Sequence, residues 1–282
     1  MLPIVDLQLP EGHSRLAGSL HESGFAVVVG HGITSTQLNA FYQPWSEFFL
    51  HGDKADFKAD PATQAGYFST EEAETARFAT AQDLKEYFQF WPGGRLPAAL
   101  RQITLRLYDT MYELARTVLT ALQQQTSEAL WEKLARPLPD YLSRPDTMIR
   151  VLRYPPLTGR EPPWALRAAP HEDINFITLL PAANQSGLQI KPGHAVWQPV
   201  DAPNGAIIIN IGDMLQELTD HKLPSTTHRV VNPTGPAGQQ ARITAPLFCH
   251  PEPELRLSDQ YTAGAYLRER LTEINPMQLK PD

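Results

Sequence analysis

The sequence predicts a mixed α+β fold, with helices gathered in its first half and short strands in its second. Two observations carry this. The chain has 26 prolines, of which six precede residue 137 and twenty lie from Pro137 onward. Proline is excluded from helix interiors and tolerated at turns and strand edges. The second observation is periodicity. Leu100, Ile103, Leu107, Met111, Leu114, Val118 and Leu122 recur every three or four residues, and no Gly or Pro falls between Ala98 and Arg136. That pattern is one face of a long amphipathic helix over about 98–126.

The other elements follow in chain order. Ile4–Leu7 reads as a short strand and His13–Ser23 as a helix closed by Gly24, the residue helix C-termini favour. Phe25–Val29 is a dense apolar run, hence a buried strand, ended by Gly30-His31-Gly32. Thr34 or Ser35 can cap a helix carrying Leu38, Phe41, Trp45 and Phe48. Pro44 inside that pattern predicts a kink or a late start. Residues 60–97 are mixed, with turn signals at Gly66 and Pro92-Gly93-Gly94. After Pro137, apolar runs alternate with turn clusters: Thr147–Tyr154, Ile174–Leu180, Leu188–Ile190, Ala195–Val200, Ala206–Ile211, His228–Val231 and Arg242–Phe248. Strands at this spacing predict a β-sandwich or barrel. A last helix, Asp259–Glu273, ends before Pro276. No linker separates the halves, so one domain is expected: a mostly helical flank over 1–136, a strand-rich core over 137–257, and a C-terminal helix and tail over 258–282.

Composition excludes several classes. The formal net charge is −7 and no basic run occurs, which argues against nucleic acid as a partner. No apolar stretch is long enough for a membrane span, and the opening MLPIVDLQLP does not read as a signal peptide. The single cysteine, Cys249, rules out an internal disulfide and fits a reducing, cytoplasmic setting.

Nine histidines are present. His13, His21, His51, His194, His221 and His250 show no pattern beyond that of surface or core residues, and His31 belongs to a turn. His171 and Asp173 stand two apart at the entrance of the predicted strand Ile174–Leu180, so both side chains face one side. His228 opens another predicted strand and can complete the set. Two imidazoles and one carboxylate on one face of a metal leave positions open, as in non-haem Fe(II) oxygenases. Zinc accepts similar ligands. Arg242 and Thr244 are again two apart, and a guanidinium with a hydroxyl suits a carboxylate.

Several segments resemble the isopenicillin N synthase-like 2-oxoglutarate/Fe(II) dioxygenases. They are Gly24-Phe25 with Gly30-His31-Gly32-Ile33, then Asp83–Phe88, then His171–Leu180 (HEDINFITLL), then Asn210-Ile211-Gly212-Asp213 with Leu215-Gln216, then His228-Arg229-Val230 with Asn232-Pro233. The resemblance implies a double-stranded β-helix, or jelly roll, flanked by helices. It implies that His171, Asp173 and His228 bind Fe(II), and that Arg242, Thr244 and Tyr154 hold 2-oxoglutarate. It also implies O2 as oxidant, ascorbate as an auxiliary reductant, and a small organic substrate that is hydroxylated, desaturated or cyclised. Arg77 and Arg150 are candidates to meet a substrate carboxylate. Thr244 stands where serine is usual, Leu152 where many plant members have asparagine, and Asn175 where glycine is frequent. Two alternatives stay open: an oxidase of the same fold that uses Fe(II) and O2 without 2-oxoglutarate, and a non-catalytic metal-binding or sensor jelly roll.

Overall fold

A computed structural model describes residues 2–73, 81–162, 164–193 and 196–274. Strand β1 (Ile4–Asp6), helix α1 (Gly12–Ser23) and strand β2 (Phe25–Val29) come first. Gly24 closes α1 at φ 71°, its N–H donating to the Leu20 carbonyl at 2.9 Å. Helix α2 (Ser35–His51) is capped reciprocally by Thr34 and Gln37. It runs without a break through Pro44, so the late start does not occur. Packing on both sides of the proline holds the helix together: Phe41 and Trp45 are buried with their rings 6.2 Å apart, and Trp45 meets Phe48 and Phe88 at 5.7 and 5.2 Å.

Gly66, expected in a turn, instead opens β3 (Gly66–Phe68), which pairs antiparallel with β4 (Glu86–Phe90). Helix α3 (Ala98–Gln125) is the predicted long helix. Its apolar stripe is buried except Ile103, which is partly so.

The second half contributes β5 (Met148–Tyr154), β6 (Ala168–His171), β7 (Ile177–Pro181), β8 (Leu188–Ile190), β9 (Gln198–Pro199), β10 (Ile207–Ile211), helix α4 (Asp213–Leu218), β11 (His228–Val230), β12 (Arg242–Thr244), β13 (Leu247–Cys249) and helix α5 (Ala263–Ile274). The run Arg242–Phe248 splits into two strands because Pro246 has no N–H to give the ladder, although both keep one register against β5. Of the run Ala195–Val200 only Gln198–Pro199 forms a strand, and Ala195 lies outside the described residues, as do His194, Arg77 and Pro276. Helix α5 begins at Ala263 rather than Asp259, since Thr262 is still bridged to Arg256.

The strands form two sheets. The large one runs β1-β2-β10-β7-β13-β5-β4-β3, with β12 also on β5, and the small one runs β6-β11-β8-β9. Four strands that precede residue 137 thus belong to the large sheet. Alternation along its strands separates two environments. Ile207, Ile209 and Ile211 of β10, Ile177 and Leu179 of β7, Ile149 and Val151 of β5, and Leu247 and Cys249 of β13 face the helices and join α1, α2 and α3 in one core. The intervening residues face the small sheet. There Phe25, Val27 and Ile208 pack against Ala168, Leu188, Ile190 and Val230, which closes the two sheets into a jelly roll. Thr178, Asn210, Phe248, Arg150, Tyr154, Arg242 and Thr244 have the same inward parity.

Candidate metal centre

Antiparallel pairing of β6 with β11 places His171 directly opposite His228, with ring centroids 4.4 Å apart. Asp173 does not share a strand with His171, as the two-residue spacing predicted. His171 ends β6, and Asp173 lies in the bend before β7. The reason is local. The bend takes backbone bonds from the start of α4, with Asp213 N–H donating to Asp173 O at 2.7 Å and Gly212 N–H to Phe176 O at 2.9 Å. A Cβ on Gly212 would lie 2.2 Å from the Asn175 carbonyl oxygen, so only glycine permits this approach.

One donor atom from each of His171, Asp173 and His228 lies within 4.8 Å of the others. The Nε2 atoms of His171 and His228 stand 3.9 and 3.8 Å from the same oxygen, Asp173 Oδ1. Every other polar atom of the three side chains is occupied. His171 Nδ1 meets the Ala169 carbonyl at 2.7 Å, and His228 Nδ1 meets that of Thr226 at 3.1 Å. A carbonyl only accepts, so each Nδ1 carries a proton and each Nε2 is the ring atom left for a metal. Asp173 Oδ2 accepts from Thr178 Oγ1 at 2.5 Å and Asn210 Nδ2 at 2.8 Å, which leaves Oδ1 turned to the imidazoles. Asn175 Nδ2 in turn donates to Thr178 at 2.9 Å.

The electrostatics agree with the ligand forms a metal needs. Burial holds the His228 imidazole below its ordinary value, and the neighbouring His171 adds to the fall. Burial pushes the Asp173 carboxyl upward, but His228, His171 and the two hydrogen bonds outweigh it, so the group lies below its usual range.

Arg242 and Tyr154 are paired across β12 and β5, with the guanidinium 5.1 Å from the ring centre. Arg242 Nε donates to the Gln185 carbonyl at 3.3 Å, and its two terminal nitrogens have no protein acceptor among the described residues. Thr244 pairs with Leu152 on the same face, and its hydroxyl donates to the Pro181 carbonyl at 3.0 Å. Arg150 points inward too, its guanidinium 4.8 Å from the Tyr87 ring and 5.3 Å from that of Phe248, with Nε donating to Gln89 at 2.9 Å.

Asn210 and Thr178 were not singled out as Asp173 partners from the sequence. Polarity at inward positions of otherwise apolar strands is the signal that marks them.

Two histidines and a carboxylate converging between the sheets of a jelly roll form a donor set that suits a non-haem metal centre. Residues 145–251 match the 2OG-Fe(II) oxygenase superfamily, and residues 2–100 match the N-terminal region described as non-haem dioxygenase in morphine synthesis. A Shewanella oneidensis protein described as an oxygenase superposes with a TM-score of 0.87 at 40% identity, covering 97% of this chain and 98% of that one. A Caulobacter crescentus protein of the 2OG-Fe(II) oxygenase family gives 0.78 at 29% identity, covering 97% and 99%. The rice 2-oxoglutarate-dependent dioxygenase 11 is 28% identical over 277 residues, 91% of this chain and 73% of that protein. The chain belongs to the 2OG-Fe(II) oxygenase superfamily, an oxidoreductase family whose cofactors are Fe(II) and 2-oxoglutarate. No helix among the described residues is long and apolar enough to cross a membrane.

Proposed function

We propose that His171, Asp173 and His228 hold Fe(II), and that Arg242, Thr244 and Tyr154 receive the distal carboxylate of 2-oxoglutarate. The observation that carries the first assignment is the convergence of two Nε2 atoms and one carboxylate oxygen, each side chain fixed from behind by a backbone or side-chain partner. Iron bound there supplies dioxygen activation, coupled to conversion of 2-oxoglutarate and O2 into succinate and CO2. The residues do the rest. The two imidazoles and Asp173 would hold the iron through three converging donor atoms, a set small enough that the metal would still take cosubstrate and O2. The terminal nitrogens of Arg242, which have no protein acceptor among the described residues, offer the fork that a carboxylate accepts. The Thr244 hydroxyl has one proton, which must turn from the Pro181 carbonyl to reach the cosubstrate. Apolar packing of Phe25, which meets the His228 ring edge-on at 5.4 Å, excludes water on that side.

In this reading residues 137–257 are the catalytic core, residues 1–136 a flank that lends β1 to β4 to the large sheet, and 258–282 the C-terminal helix and tail. The substrate is a small organic molecule oxidised at a C–H bond. Arg150, on the inner face between Tyr87 and Phe248, favours substrates that carry a carboxylate.

The test is succinate release from labelled 2-oxoglutarate with Fe(II) and ascorbate, together with iron content of wild type, His171→Ala and Asp173→Ala. Turnover, coupled or not, with iron lost in both variants is the expected result. Unchanged iron content in both variants would overturn the ligand assignment. Substrate oxidation without 2-oxoglutarate consumption would favour the oxidase alternative, and metal binding with no turnover the sensor alternative.

A further inference from the structure

Arg167 belongs to none of the motifs above. It lies just before β6, the strand that ends at His171, in a stretch of small and apolar residues. Its relative exposure is 0%, and it is among the largest fully buried side chains of the protein. Nη1 donates to Gln185 Oε1 at 2.7 Å and Nη2 to the Gln240 carbonyl at 3.1 Å. Nε is buried and has no hydrogen-bond partner among the described residues. No carboxylate among the described residues forms an ion pair with it.

Its surroundings point to a ligand. Arg167 and Arg242 share Gln185, one taking the side-chain oxygen and the other the backbone carbonyl. Both guanidinium groups lie over one ring, that of Tyr154, at 5.9 and 5.1 Å. Two cations therefore converge on one buried spot whose described protein partners are all neutral. Burial and the nearby Arg242 lower the proton affinity of Arg167, yet a guanidinium keeps its charge. An uncompensated buried charge is costly, and the cost is offset when an anion enters.

We propose that Arg167 is a positioning residue for the cosubstrate: with Arg242 it forms a doubly charged receptor for the distal carboxylate of 2-oxoglutarate, acting by its field and through the shared Gln185. This rests on the reading that Arg242 and Tyr154 line the 2-oxoglutarate pocket. The pocket then selects a dicarboxylate over 2-oxo acids with one carboxylate. The neutral hydrogen bonds to Gln185 and Gln240 fix the side chain, and its charge has no other described use.

The experiment is anaerobic calorimetric titration of the iron-loaded protein with 2-oxoglutarate and with 2-oxopentanoate, which keeps the carbon chain and lacks the distal carboxylate. Wild type, Arg167→Met, Arg167→Lys, Gln185→Glu and Arg242→Met are compared, with iron stoichiometry measured for each. The expected result is a loss of about tenfold or more in 2-oxoglutarate affinity for Arg167→Met, with iron content and 2-oxopentanoate affinity unchanged. Arg167→Lys, which keeps the charge, should recover most of the loss. Gln185→Glu supplies an internal counter-charge, so it should raise the melting temperature of the cosubstrate-free protein while weakening 2-oxoglutarate binding. It decides the question if Arg167→Met fails to fold. Wild-type affinity in Arg167→Met, or in Gln185→Glu where that variant decides, overturns the proposal while leaving the pocket assignment intact, provided Arg242→Met loses binding. Unchanged binding in Arg242→Met as well overturns the pocket assignment itself.

Discussion

Removing the groups that hold Asp173 from behind should weaken iron binding without touching a ligand. Asp173 Oδ2 accepts 2.5 and 2.8 Å hydrogen bonds from Thr178 and Asn210, which face each other across β7 and β10. Both are bonds to a buried, ionised carboxylate, each worth about 1.5–3 kcal/mol. Their loss frees the carboxylate to rotate and raises its proton affinity, and both effects oppose metal binding. Since about 1.4 kcal/mol is a factor of ten, Thr178→Val and Asn210→Ala should each weaken Fe(II) binding roughly 10- to 100-fold. Thr178→Val keeps the side-chain shape, so packing is not the variable. Because both donors serve one oxygen, the double variant should lose less than the product of the single losses. Anaerobic Fe(II) titration at neutral pH reads the affinity, and melting curves verify the fold. Wild-type affinity in both single variants, with the fold intact, would refute the argument that Oδ1 is presented by restraint of Oδ2.

Four further outcomes are expected. Gly212→Ala should destabilise the protein by about 1–3 kcal/mol and lower iron affinity, since the new methyl meets the Asn175 carbonyl under the Asp173 bend; denaturant unfolding and metal titration read the two effects. Arg242→Met should raise the KM for 2-oxoglutarate with little change in the KM for substrate, measured by succinate release. Met111→Ala, in the fully buried stripe of α3, should cost about 2–5 kcal/mol of stability while leaving iron affinity unchanged, which separates core from site. The metal-free protein should lose stability as pH falls below 6.5. His228 and His250 are held below that value by burial, so the unfolded chain takes up protons that the folded chain refuses. The contribution is complete above pH 6.5 and is lost as pH drops toward the folded-state values, and a flat melting temperature across that window would contradict the assignment.

Long elements were legible in the sequence because their patterns repeat. The stripe of α3 and the run Ala206–Ile211 each sample their period several times, and helix and strand appear where expected. Short elements were not. The segment Ala168–His171 has two alanines and a proline, and becomes a strand only because β11 pairs with it. The candidate site was legible at the level of residue types and only partly at the level of geometry. His171, Asp173 and His228 do converge, but by cross-strand pairing and a bend rather than by the alternation of one strand. Arg167 gave no signal because a single arginine has no period, and Gln185 and Gln240 reach it only through the tertiary fold.

The alternation in β5, β7, β10 and β13 has a consequence for how such a protein can change. Each strand gives one set of positions to the helical core and the interleaved set to the side that faces the small sheet and the candidate site. The two sets are read by different neighbours, so substitutions at the inward Met148, Arg150, Leu152 or Phe248 leave in place Ile149, Val151, Leu247 and Cys249, which keep the sheet seated on the helical core. Genetic variation in catalytic preference and variation in foldability are thereby carried on alternate codons of the same segments. A library confined to the inward codons should retain folded members at a higher rate than one of equal size confined to the outward codons.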